Sequence, residues 1–172
     1  LEFYDEVKSS GGMKDCYFST NKKYVCLVFR DAKHNNPANK ERLEIICGLY
    51  KQRIFQEAGG EYWKNLFVWP EHVFVWNGKL GITSAFYDSK FFFSSGRFKG
   101  QEKEGKWFAS AKLRNKFIEP EHKGTFSSNI LMCLKIARAV RRMHAAGLAH
   151  SDLSYKNILV DPSTGSSCVI DC

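Results

Sequence analysis

Apolar and polar positions in the first third of the chain alternate in short runs broken by glycine and charge, the pattern of strands joined by tight turns. Three such runs, "LEFYDEV", "DCYFST" and "YVCLVFR", are separated by "SSGGMK" and by the hairpin signal "NKK". After "DAKHNNPAN" the period becomes 3.6: Leu43, Ile46, Cys47, Tyr50 and Ile54 share one helical face, while Lys40, Glu41, Lys51 and Arg53 lie largely off it. Asn39 is the expected N-cap, and Gly59-Gly60 stops the segment. "HVFVW" and "LGITSAFY" around "NGK" predict a β-hairpin, because Asn-Gly accepts the positive φ that a two-residue hairpin turn demands. The predicted order is β-β-β-α-β-β.

From about Asp88 to Gly124 the chain is aromatic, basic and glycine-punctuated with no sustained period, which predicts a linker and an irregular insertion with one short helix. "SSNILMCLKIARAVRRMHAAG" then predicts an amphipathic helix capped by Ser127 or Ser128 and ended by Gly147. Its expected apolar side is Ile130, Leu131, Leu134, Ala137, Val140 and Met143. Past a polar loop, "NILVDP" and "SCVID" read as two short strands around "STGS", and no internal repeat appears.

Composition narrows the class. At 172 residues, 44% apolar and 15% aromatic, the chain has material for one sizeable core or two small lobes sharing a cleft. It starts on Leu and ends in the strand-like "CVIDC", so an excerpt of a longer protein is expected. No run reaches the roughly 18 to 20 apolar residues of a membrane span, and no signal peptide is recognisable; a cytoplasmic protein with no membrane partner is expected. The six cysteines sit singly in apolar runs without a C-x-x-C, as reduced thiols acting as small hydrophobes do, and five scattered histidines lack zinc spacing. The net charge of +8 suits a polyanionic partner, but the basic residues are spread widely and interleaved with acids, as on ordinary solvated faces.

The polar loop carries the chemistry. His150-Ser151-Asp152-Leu153 is followed by Lys156 and Asn157, and Asp171 lies 19 positions after Asp152, the length of two short strands and a turn. This segment resembles the catalytic segment of the protein kinase fold: His-Arg-Asp-Leu, three residues, Asn, and then the metal-binding Asp of Asp-Phe-Gly. The order of elements agrees with it. The resemblance implies an α+β, two-lobed protein-kinase-like fold with an antiparallel β N-lobe over residues 1–87 and a hinge, linker and insertion over 88–126. The beginning of a helical C-lobe would occupy 127–172. It implies ATP and Mg²⁺ as cofactors, with Asp152 taking the proton of the acceptor hydroxyl and Lys156 neutralising transferring phosphate. Asn157 and Asp171 would hold the metal, and His150 would brace the loop. The chemistry supports these residue types, since phosphoryl transfer needs an alcohol held in line, a carboxylate near its proton, and hard oxygen donors for the divalent ion.

The nucleotide half departs from the pattern. Where the family has G-x-G-x-x-G, this chain has "SSGGMKD", so Gly11 and Gly12 are candidates for covering phosphates or simply turn residues. The strand that should end in Ala-x-Lys ends in Arg30, which is not interchangeable with lysine, and Lys14 is the alternative cation. Both stay open. Glu44, ahead of Glu41, is the candidate acidic partner. Ser151 replaces an arginine that would read an activation-loop phosphate, and Cys172 stands where Phe is usual. "SSGGMKD", "EGKWFASA" and "RRMHAAGLAHSDLSYKN" together look most like a bacterial kinase-like subfamily found near tellurium-resistance genes, some members of which carry a helix-hairpin-helix tail. A link to nucleic acid would come only through such a missing C-terminal region. The leading expectation is an ATP-dependent Ser/Thr protein kinase whose protein substrate the sequence does not name. The alternatives are a pseudokinase scaffold, a small-molecule phosphotransferase of the aminoglycoside-kinase type, and a basic nucleic-acid module.

Overall fold

The computed structural model describes residues 2–4, 9–10, 12–56 and 59–171. The chain forms two compact units, Leu1–Gln56 with Trp69–Phe86, and Glu57–Val68 with Tyr87–Cys172. The class is α+β, with an antiparallel sheet in the first unit and helices around a hairpin in the second.

In the first unit, β1 (Ser9–Ser10), β2 (Lys14–Phe18), β3 (Tyr24–Phe29), β4 (Pro70–Trp76) and β5 (Lys79–Ala85) form one sheet in the order β1-β2-β3-β5-β4, every pairing antiparallel. The β4–β5 turn is built as the sequence predicts: Asn77 at φ 48° and Gly78 at φ 73° give the two left-handed residues that match strand twist. Residues 2–4 run beside the end of β2, with Tyr4 N–H donating to the Phe18 carbonyl at 2.9 Å and Phe3 bridging Ser19. The strand expected over "LEFYDEV" falls partly outside the described residues.

Register assigns the side chains to faces, because opposed residues share a side of the pleat. Lys14 opposes Phe29, Cys16 opposes Leu27, and Leu27 opposes Ile82 on one face. The other face carries Asp15 against Val28 and Tyr17 against Cys26, continued by Thr83 and Gly81 of β5 and by His72 and Phe74 of β4. Phe29's ring meets His34 at 5.3 Å, in the turn that leads to the helical segment, so the Lys14 face is the one turned toward that segment.

Helix α1 (Pro37–Ile45) is capped by Asn36, not by Asn39: Asn36 Oδ1 accepts from Asn39 N–H at 2.9 Å. Pro37 decides this, since proline's fixed φ and missing N–H suit the first helical position. The helix widens into a π-helical stretch over Ile46–Tyr50 before α2 (Lys51–Phe55). There the Ile46 carbonyl accepts Trp69 Nε1–H at 3.0 Å, fastening the widened turn to the start of β4. Of the five predicted face residues, Ile46 and Ile54 are buried and Leu43, Cys47 and Tyr50 are half-buried.

In the second unit, α3 (Gly60–Lys64) leads to a chain segment that pairs with the hairpin described next. The insertion holds three short helices instead of one, α4 (Lys106–Ala109), α5 (Ala111–Phe117) and α6 (Pro120–Lys123). Helix α7 (Phe126–Ala145) is capped by Thr125, whose hydroxyl accepts from Ser128 N–H at 3.1 Å while Ser128 Oγ accepts from Thr125 N–H at 2.8 Å. Ser128, one of the two predicted caps, is thus the third residue of a capping box. Gly147 at φ 85° ends the helix as expected, with Leu148 N–H closing on the Met143 carbonyl at 2.9 Å.

The hairpin of β6 (Ile158–Asp161) and β7 (Ser166–Val169) has both edges paired. Val68 and Val169 N–H groups bond to Val169 and Leu66 carbonyls at 2.9 and 2.8 Å, while Gly105 and Val160 N–H groups bond to Ile158 and Lys103 carbonyls, both at 2.9 Å. Below it, Phe93, Phe108, Ile118, Met132 and Val160 form one apolar cluster and Phe91, Leu159 and Cys168 another. Burying a residue such as Leu159 contributes about 1.5–3 kcal/mol.

Candidate active site

The loop after α7 is assembled around His150. Its Nδ1 accepts the backbone N–H of Asp152 at 3.2 Å, and its Nε2 donates to the Ile170 carbonyl at 3.0 Å. One tautomer satisfies both bonds, so the ring links the loop to the residue before Asp171. The bracing role expected for His150 has this geometry.

Asn157 makes the second link. Its Nδ2 donates to the Asp152 carbonyl at 2.8 Å and to Asp152 Oδ2 at 3.1 Å, and its backbone carbonyl accepts Ile170 N–H at 3.0 Å. Ile170 is thereby gripped on both its polar backbone groups, by His150 and by Asn157. Asp152 and Asn157 are brought together side chain to side chain, and Asp171 follows directly on the gripped residue. Asp171 is exposed and takes φ 58°, a left-handed conformation uncommon outside glycine but tolerated by Asp. A non-glycine residue held there belongs to the class of backbone outliers that collect at functional sites.

Donor chemistry fits a divalent cation. With both described bonds of the Asn157 amide made through nitrogen, its oxygen is the atom left to coordinate, and Asp171 adds a carboxylate: hard donors of the kind Mg²⁺ takes. No cluster of three or more His, Cys, Asp or Glu residues suited to a metal occurs among the described residues, so protein groups would supply only part of a coordination shell. Lys156 sits exposed in the 3₁₀ turn Tyr155–Asn157, where Ser154 Oγ accepts its N–H at 3.3 Å.

In the first unit the two candidate cations fall on opposite faces of the sheet. Lys14 Nζ lies over the Phe29 ring at 5.3 Å. Arg30 follows β3 and its Nε contacts Asp15 Oδ1 at 2.5 Å, on the face that carries Asp15 and Val28. Glu44 is exposed on α1, and its described ion pair is with Lys40, 3.7 Å away. Gly12 is exposed, its φ is not left-handed, and a Cβ there would meet nothing within 4 Å, so its backbone conformation does not require glycine. Gly11 lies outside the described residues, as does Cys172.

A supporting pair invisible in the motif underlies the hairpin. Lys103, from the insertion, donates Nζ to Asp161 Oδ1 and to the Lys90 carbonyl, both at 2.8 Å, with both side chains of the ion pair buried. Ser163 and Thr164 hydroxyls donate to the same carboxylate at 2.8 and 2.6 Å. Burial by itself would raise the Asp161 pKa, but these three donors outweigh it and hold the carboxyl below its ordinary value. The "DPST" run carried the signal for the two hydroxyl bonds, an aspartate turned back on its own loop. Nothing local marked Lys103.

Residues 120–172, which carry α7, the loop and the hairpin, match the lipopolysaccharide kinase (Kdo/WaaP) family. No curated protein matches the chain. Among solved structures, the chain is similar to the kinase domain of Mycobacterium tuberculosis PknI, with TM-score 0.57, 13% identity, and coverage of 96% of this chain and 57% of that one. A point mutant of the same domain aligns with TM-score 0.58 and 12% identity over 99% of this chain and 60% of that one. The BubR1 kinase domain aligns with TM-score 0.57 and 16% identity over 99% of this chain and 48% of that one. The fold is protein-kinase-like. The chain spans about half to three-fifths of the length of these kinase domains. No helix among the described residues is long and apolar enough to cross a membrane.

Proposed function

We propose that the chain is the nucleotide-binding and catalytic-loop portion of an ATP-dependent phosphotransferase, acting in its full-length parent on a Ser or Thr hydroxyl of a protein. The observation that carries this is the Asp152–Asn157–Ile170–His150 linkage, which joins a carboxylate, an amide oxygen and the backbone leading to Asp171 into one constellation. In this reading residues 1–87 form the nucleotide lobe, 88–126 the linker and insertion, and 127–172 the start of the catalytic lobe.

Asp152 accepts the proton of the attacking hydroxyl and orients it, with Asn157 Nδ2 holding the carboxylate in place. Lys156 offsets charge on the transferring phosphoryl group, and Lys14, on the face of Phe29, holds the nucleotide phosphates in preference to Arg30, which pairs with Asp15 on the other face. Bound through Asn157 and Asp171, Mg²⁺ would shield phosphate charge. His150 and the buried Lys103–Asp161 pair fix the loop and the hairpin, leaving little to reorganise when the acceptor arrives.

A second acceptor class has its own support. The match of residues 120–172 to lipopolysaccharide kinases, and the small Ser151 between His150 and Asp152, favour a saccharide or other small-molecule hydroxyl. The resemblance to the tellurium-associated bacterial subfamily favours the protein acceptor.

Calorimetric titration of the full-length protein with a non-hydrolysable ATP analogue, with and without Mg²⁺, tests the nucleotide reading. Magnesium-dependent binding that Asp171→Ala abolishes supports it, while no binding at millimolar analogue would leave the pseudokinase reading in its place. Transfer of labelled γ-phosphate to Ser/Thr peptides or to saccharides then separates the acceptors.

A further inference from the structure

The sheet of the first unit has a second concave surface, on the face opposite Lys14. A cavity of about 550 Å³ opens there, within the range of small-molecule sites. Its lining comes from the strands and from Phe3 and Tyr4 of the N-terminal segment, and its strand residues other than Val75, which opposes Leu80, are those that register places with Val28 and not with Phe29.

Three features define its shape. The floor is flat because Gly81 has no side chain: the Phe74 ring from β4 lies directly over it, in the space a Cβ would need. One wall is the edge-to-face pair of Tyr17 and Trp76, with centroids 5.5 Å apart and planes at 70°, and Trp76 is 41% exposed. The third feature is polar. His72 Nδ1 and Thr83 Oγ1 share a hydrogen bond at 3.3 Å, which fixes the imidazole, and the other ring nitrogen has no partner among the described residues. Cys26, also in the lining, is a protonated and unreactive thiol there, its pKa pushed up to about 11 by burial first and by Cys16 second.

We propose that this cavity is a binding site for a planar, largely apolar aromatic compound carrying one hydrogen-bonding group. Its ring stacks on Phe74 against the Tyr17–Trp76 wall, and its polar group meets the free nitrogen of His72. Offset and edge-on contacts with three aromatic side chains suit a flat ring system better than an aliphatic chain. A single polar pair in an apolar lining fixes orientation, as in most small-molecule sites. The site is separate from the residues assigned to nucleotide and transfer, so its test does not depend on them.

The test uses the full-length protein labelled with 5-fluorotryptophan and titrated with 2-naphthol, a two-ring compound with one hydroxyl, by ¹⁹F NMR. The Trp76 resonance is assigned by Trp76→Phe. The expected result is a saturable movement of that resonance with a dissociation constant below about 1 mM. Thr83→Val, close to isosteric, releases His72 and is expected to weaken 2-naphthol about tenfold. A non-saturating drift shared by all tryptophans would overturn the proposal, as would a midpoint that Thr83→Val leaves unchanged. A non-hydrolysable ATP analogue is expected to leave the midpoint where it is, and displacement of 2-naphthol by the analogue would also overturn it, since the cavity would then be the nucleotide's own.

Discussion

Lys103 Nζ and Asp161 Oδ1 lie 2.8 Å apart with both side chains almost wholly withdrawn from solvent. The pair joins the insertion to the hairpin that carries Asn157 at one end and leads to Asp171 at the other. Breaking a buried pair from one side strands a charge. Lys103→Met is therefore expected to destabilise the protein by about 3–5 kcal/mol in urea unfolding. Lys103→Met combined with Asp161→Leu is expected to recover part of that loss, because no unpaired charge remains. A single substitution costing under about 1 kcal/mol would show that the carboxylate is satisfied by Ser163 and Thr164 alone.

Acid should lower the protein's stability in two separate pH ranges. His122 is buried against the edge of Phe93, with Ser95 Oγ 3.2 Å from Nε2. Burial first, and the Lys103 charge second, lower its pKa from 6.5. The folded state then resists a proton that the unfolded chain accepts. The stabilisation is complete above about pH 6.5 and is lost as pH falls through that value toward the folded one. Asp161 behaves with the same sign lower down: its contribution is present above the unfolded value of 3.8 and is lost as pH falls toward its depressed folded value. A Tm profile against pH is expected to show both declines, and His122→Asn to remove the upper one while keeping the lower. A profile flat from neutral pH down to about 5 would contradict the assignment to His122.

What could be read from the sequence was local or strongly spaced. Asn77-Gly78 and Gly147 declare positive φ by residue type, and the His150 to Asp171 spacing brought together the groups that do meet. Residues that compete locally were misplaced. Thr125, Ser127 and Ser128 are all cap formers within four positions, and the extended backbone of Thr125 decides among them. Helix α7 carries more apolar residues than one stripe holds. Of its expected apolar side Met143 is buried, whereas Ile130 and Leu134 are 53% and 45% exposed and Met132 and Ala139 are buried instead. The five described cysteines are all free, as a reduced-thiol reading expects, but burial holds for Cys26 and Cys168 and not for Cys133, which is exposed. The three insertion helices are four to seven residues long, too short to show a period, and Lys103 and Asp161 stand 58 residues apart.

Sheet register separates the two candidate phosphate-binding cations. Lys14 shares the face of Phe29, and Arg30 is drawn to Asp15 on the reverse. In the full-length protein, Lys14→Met is expected to weaken binding of a non-hydrolysable ATP analogue at least tenfold, about 1.4 kcal/mol, and Arg30→Met less than about threefold. Calorimetry on both variants decides. Equal or reversed losses would return the role to Arg30 or to neither.

His150 offers a way to separate positioning from chemistry. Phenylalanine keeps the ring but loses both nitrogens, so Asp152 N–H loses its acceptor and the Ile170 carbonyl its donor. The groups that would take the proton and the metal remain in the chain; what goes is the link that sets their spacing. His150→Phe is therefore expected to lower kcat of phosphate transfer on the order of a hundredfold, a loss typical of small misplacement at a reacting centre. The KM for ATP should stay within about threefold, since phosphate contacts made elsewhere are untouched. His150→Asn, whose amide can both donate and accept, should restore part of kcat. If both variants lost nucleotide affinity in step with kcat, His150 would be supporting the fold as a whole and not the spacing of Asp152 and Asp171.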